Sequence, residues 1–99
     1  MSAYLISDVT AKDAEAFQTY RTRAAASIAK YGARYLVRGG AIEPMEGSWT
    51  PRAIIIVEFS FLEQARTWYR SPEYALALDV RDDALSRNLI LVDGIKEEA

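Results

Sequence analysis

The chain has 99 residues, 51% of them hydrophobic and 26% charged, with 12 basic residues against 14 acidic and a net charge of -2. This is ordinary globular composition for one domain over residues 1–99, and such a charge gives no long-range attraction to nucleic acid or an anionic membrane. With no cysteine and no histidine, disulfides, thiolate nucleophiles, Cys or His metal sites and Ser-His-Asp arrangements are excluded, so any acid–base work falls to carboxylates, Arg, Lys, Tyr and hydroxyls.

Residues 3–9 form an apolar run ending at Thr10, which with Asp13 reads as a T-x-x-D helix start. A strand handing over to a helix is expected. Ala14, Phe17, Ala24, Ile28 and Tyr31 then recur at helical spacing, and Gly32 supplies the stop. Residues 33–38 read as a strand that ends at Gly39-Gly40. Pro44 and Gly47 break the segment up to Pro51, and residues 52–59 form an isoleucine-rich strand. Ser60-Phe61-Leu62-Glu63 has the capping-box pattern and opens a helix through Trp68 and Tyr69. Ser71-Pro72 restarts helix, which runs to about residue 86, with Ser71 as N-cap and Pro72 at the first helical position. Residues 88–92 are a last apolar strand, closed by Asp93-Gly94, and the tail 96–99 is expected to fray.

The order β-α-β-β-α-β, with two right-handed crossovers, predicts an α+β fold of the ferredoxin-like kind. Its four-stranded antiparallel sheet carries both helices on one face. The strands then speak to assembly. Ile54 and Ile56 point one way while Ile55, Val57 and Phe59 point the other, and Leu89 and Leu91 oppose Ile90 and Val92. Both faces are apolar, and a bare apolar sheet is an unusually large patch for a monomer, so a two-fold dimer through the helix-free faces is expected. The longest apolar stretch, 53–57, is far short of a membrane span, and no basic flank with an apolar segment opens the chain. A cytoplasmic protein is the expectation.

The blocks Tyr31-Gly32-Ala33-Arg34-Tyr35-Leu36-Val37-Arg38-Gly39-Gly40, Glu46-Gly47-Ser48-Trp49, Val57-Glu58-Phe59 and Ala65-Arg66-Thr67-Trp68-Tyr69-Arg70-Ser71-Pro72-Glu73-Tyr74, with a later Arg81, resemble the bacterial family called domain of unknown function 1330. Ala33 departs from it, standing where that family often has a second glycine. The resemblance spans nearly the whole chain and implies a dimeric α/β barrel, the superfold of certain cofactor-free monooxygenases, muconolactone isomerase and stress-responsive barrel proteins. It implies no agreed reaction.

The best candidate site is the polar set on the two middle strands. If Leu36 lies opposite Ile56 in an antiparallel hairpin, Arg34 falls opposite Glu58 and Arg38 opposite Ile54. All then share one sheet face. Two readings compete: an internal Arg-Glu ion pair that fixes register or dimer geometry, and a pocket where Arg38 grips a carboxylate while Glu58 acts as base or acceptor. The long connection 39–51 carries Trp49, either a lid over the cavity or an anchor to a partner subunit, with Arg52 at its base serving either. Trp68, Tyr69 and Tyr74 read first as core, with Tyr69 or Tyr74 as candidate donors at a cavity mouth. Asp79, Asp82 and Asp83 read as a solvated helix face, not a metal site, and Arg87 as a surface residue. The third strand's acid and single aromatic disfavour RNA binding, and no glycine-rich phosphate loop is present. The sequence therefore predicts a homodimer with a small-molecule pocket at the sheet and no cofactor. The alternative is a cofactor-independent isomerase or monooxygenase using Glu58, Arg38 and a tyrosine.

Overall fold

A computed structural model describes residues 1–95. The expected tail 96–99 lies outside the described residues. The elements are β1 (Ala3–Ala11), α1 (Ala14–Lys30), β2 (Arg34–Arg38), β3 (Ile54–Phe59), α2 (Leu62–Tyr69), α3 (Pro72–Ala84) and β4 (Leu85–Asp93). The sheet order is β2-β3-β1-β4 and every pairing is antiparallel. Two crossovers that each skip a strand give this order, which defines the ferredoxin-like α+β fold.

Local chemistry sets most boundaries, with three corrections to the sequence reading. Thr10 stays in β1, and Asp13 itself caps α1, its Oδ2 accepting from the Ala16 amide at 2.8 Å. At α2 the N-cap Phe61 offers no side chain; instead Gln64, one position beyond the expected Glu63, reaches back to the Ser60 amide at 2.8 Å. The third helix ends at Ala84, two residues early, because Leu85 to Ser86 already pair with Ala11 and Thr10. Ser71 does cap α3, with Pro72 beginning it. Gly32 and Gly39 adopt positive φ, closing α1 and β2.

Strand parity separates two faces. Ala3, Leu5, Ser7 and Val9 of β1 are buried, together with Val57 and Phe59 of β3. These meet Tyr20, Ala24 and Ile28 from α1, Ala65 and Trp68 from α2, and Tyr74 and Ala77 from α3. The other parity, with Ile6, Ile54, Ile56, Ile90 and Val92, carries no helix, and Ile90 and Val92 are exposed.

The pairing of β2 with β3 is where the expected register fails. Arg34 does face Glu58 and Tyr35 faces Val57, but a bulge at Leu36 leaves that residue unpaired, so Val37 meets Ile56 and Arg38 meets Ile55. A bulge inserts one residue, and one residue of slip exchanges the faces. Arg38 is thereby carried to the helix-covered side. Leu36 is not opposite Ile56, and Arg38 is not opposite Ile54.

Candidate functional site

The two halves of the expected polar set lie on opposite sides of the sheet. On the open face, Arg34 Nε donates to Glu58 Oε1 at 2.7 Å, and the Tyr4 hydroxyl reaches Glu58 Oε2 at 3.4 Å. Glu58 is mostly buried, its side chain 20% exposed. Hydrogen bonds from Arg34 and then from Ser2 hold its carboxyl below the usual range, against an opposing contribution from desolvation. Asp8, on the same face, tethers the long connection, accepting from Trp49 Nε1 at 3.1 Å and from the Arg52 amide at 3.3 Å. Trp49 is 63% exposed. Neither Trp49 nor Arg52 lines the cavity under the helices.

That cavity is lined on the sheet side by Leu5, Ser7, Val9, Ile55, Val57 and Leu85, and on the helix side by Phe17, Tyr20, Ala24, Ile28 and Trp68. Three arginines border it: Arg21 from α1, Arg38 from β2 and Arg87 from β4. Its volume of about 70 Å³ is below the range of pockets built for drug-sized molecules and takes the chain of a short ligand whose charged end stays outside, at the rim. Arg38 Cζ lies 4.5 Å from the centre of the Tyr35 ring, a cation–π contact that holds the guanidinium at the rim. Burial raises the Tyr35 pKa, with Arg38 pulling the other way, so Tyr35 stays a neutral platform.

At the far side Arg87 donates to both phenols, through Nη1 to the Tyr20 oxygen and through Nη2 to the Tyr74 oxygen at 2.6 Å. The two tyrosine oxygens are themselves 2.6 Å apart. Burial raises the Tyr74 pKa strongly, and the Tyr20 oxygen adds to the shift despite Arg87. For Arg87 burial disfavours the cation, yet the tyrosine oxygens together outweigh it and its pKa is raised. Arg87 is therefore no surface residue.

Of the other expected residues, Trp68 is core, with its indole N–H donating to Ser27 Oγ at 2.9 Å, and it also touches the cavity. Tyr69 borders a wider hollow between the α3 end and β4, with Lys12, Arg81 and Asp82, and this hollow shares Leu85 and Arg87 with the cavity. Tyr74 is fully buried behind Tyr20. Sequence reading missed Tyr20, Arg87 and Ser7. The signals were present: Tyr20 completes the α1 stripe between Phe17 and Ala24, and Arg87 shares its strand parity with Leu85, Leu89 and Leu91. Nothing local marked Ser7, whose Oγ is buried without a hydrogen-bond partner among the described residues.

The fold and the cavity define a ferredoxin-like α+β protein with an arginine-bordered pocket under its helices. Over residues 2–95 the chain matches the family Domain of unknown function (DUF1330), and it belongs to that family. No curated protein matches its sequence. Among solved structures it is similar to a protein of unknown function from Rhodopseudomonas palustris, at 17% identity and a TM-score of 0.77 over 97% of this chain and 84% of that one. It is also similar to SnoaB, a cofactor-independent oxygenase from Streptomyces nogalater, at 12% identity and a TM-score of 0.65 over 97% and 95% of the two chains. A dimeric protein of unknown function and ferredoxin-like fold from Bacteroides fragilis is similar at 16% identity and a TM-score of 0.62 over 94% and 96%. At these identities the likeness shows the fold.

Proposed function

We propose that this chain is the subunit of a cytoplasmic homodimer that binds a small organic carboxylate in the cavity beneath its helices, with Arg38 holding the carboxylate. The observation that carries this reading is the placement of Arg38. The bulge at Leu36 brings it to the covered face, and the Tyr35 ring fixes it at the rim of an apolar cavity. A concave apolar wall with a few convergent polar groups is what small-molecule sites share, and a guanidinium matches a carboxylate in two parallel hydrogen bonds. The dimer is supported by the apolar helix-free face, with Ile6, Ile56 and Ile90 in one row across three strands, and by the dimeric Bacteroides fragilis neighbour.

The enzymatic alternative, with Glu58 as base beside Arg38, finds no support in the geometry, because the two groups are separated by the sheet. Glu58 instead suits the role of a register-fixing partner for Arg34. The test is a thermal shift with a panel of short carboxylates on wild type, Arg38→Lys and Arg66→Lys, the last being an exposed arginine paired with Glu63 on its own helix. Stabilisation kept in Arg66→Lys and lost in Arg38→Lys is expected, since an ammonium cannot reproduce the planar fork. Equal behaviour of the two variants overturns the assignment of Arg38.

A further inference from the structure

Of the two hydroxyl protons in the cluster opposite Arg38, one has no acceptor within the cluster, and this indicates what that end of the cavity recognises. Arg87 only donates. The Tyr20 and Tyr74 oxygens each accept one of its N–H groups, and one phenol donates to the other. One O–H proton is then left over. If Tyr20 donates to Tyr74, the leftover proton belongs to Tyr74, which is fully buried, does not line the cavity, and has no other acceptor among the described residues. A buried hydroxyl proton without a partner is costly. If Tyr74 donates to Tyr20, the leftover proton is on Tyr20, whose side chain does line the cavity. The second arrangement is the one the packing favours.

Strand register sets the geometry around that proton. Ile55 pairs with both Arg38 and Ser7, so Arg38, Ile55 and Ser7 form one row across the covered face, with Arg38 two strands, or about 10 Å, from Ser7. Arg87 stands in the next row, opposite Val9. Between the Arg38 rim and the Arg87 cluster the floor is apolar apart from Ser7, whose hydroxyl is buried and has no partner among the described residues.

The geometry points to a ligand with a second oxygen. In the carboxylate pocket proposed above, on which this inference rests, Tyr20 donates its free O–H to a carbonyl oxygen several carbons from the carboxylate, with Arg87 and Tyr74 as positioning residues and Ser7 as a further donor. The ligand class is a short oxo acid.

The experiment measures by calorimetry the affinities of 4-oxopentanoate, 5-oxohexanoate and 6-oxoheptanoate beside isosteres in which C=CH2 replaces C=O, on wild type, Tyr20→Phe and Arg38→Lys. At least one oxo acid is expected to bind wild type about ten-fold more tightly than its isostere, the size of one good neutral hydrogen bond. Tyr20→Phe should bring that ratio near one without changing the affinity of the isostere. Arg38→Lys should weaken both members and keep the ratio. The infrared carbonyl stretch of the bound oxo acid, moved to lower frequency in wild type, reads the same hydrogen bond without a substitution, should Tyr20→Phe fail to fold. A ratio of one at every chain length, a ratio that survives Tyr20→Phe, or an unmoved carbonyl stretch overturns the Tyr20 assignment; Arg38-dependent binding of the isosteres would then leave the carboxylate pocket standing alone. Binding of none of these acids overturns both.

Discussion

Each face of the sheet carries an arginine in contact with polar side chains, and the two differ in almost everything except residue type. Arg34, on the open face, pairs with Glu58 while its own side chain is 73% exposed. Arg87, on the covered face, is held between two buried phenols and forms no salt bridge among the described residues. An ion pair with one partner in water is screened, and its stabilisation is small. A guanidinium desolvated against neutral oxygens is different, because every donor must find an acceptor or lose its hydration uncompensated. The open face therefore sets an exposed arginine on a carboxylate at an edge strand, whereas the covered face sets a half-buried one on two hydroxyls at the wall of a cavity.

Introducing a charge on each side sharpens the contrast most. Val57 and Ile56 are neighbours in β3 that point to opposite faces, Val57 being 1% exposed. Val57→Arg is expected to cost more than about 4 kcal/mol and abolish the thermal transition, since it buries an unpaired cation in the core. Ile56→Arg should leave circular dichroism native and instead break the proposed dimer, read as an 11.1 kDa species by light scattering. An Ile56→Arg protein that remains dimeric would move the interface away from the open face.

Arg87→Met comes next. It should destabilise by about 2–3 kcal/mol, from the loss of two charge-assisted hydrogen bonds at a half-buried site, measured by urea denaturation. Arg34→Met should be hard to distinguish from wild type in the same assay. Similar losses in both would erase the distinction between the faces.

A smaller effect of opposite sign is expected at Ser7. Its Oγ is buried without a partner among the described residues, so Ser7→Ala should raise stability by about 0.5–1 kcal/mol in the ligand-free protein. A decrease would mean that the hydroxyl already has a partner in solution.

The smallest effect is a pH dependence on the open face. Arg34 lowers the Glu58 pKa from its ordinary value of 4.5. A carboxyl with a depressed folded pKa contributes stability above the unfolded value and loses it as pH falls through the folded one. Wild type and Arg34→Gln should therefore differ slightly at pH 7 and converge below pH 4.5. A difference that grows in acid would show that another group is responsible.

Much of this protein follows from local chemistry. The period of apolar residues, Ser71-Pro72 and Gly32 specify the elements and their order, because caps, turns and side-chain periodicity act within a few residues. The apolar character of both sheet faces is equally local. The bulge at Leu36 is different. It belongs to the pairing of β2 with β3, strands joined by the 39–53 connection that Asp8 anchors, and no residue within β2 announces it. That single extra residue decides which face Arg38 serves, since strand side chains alternate with a period of two. The Tyr20, Tyr74 and Arg87 cluster likewise joins α1, α3 and β4 across separations of 54 and 67 residues. Sequence periodicity could place each of the three on an inward face, but only packing of the helices against the edge strand brings their oxygens and nitrogens within hydrogen-bond distance.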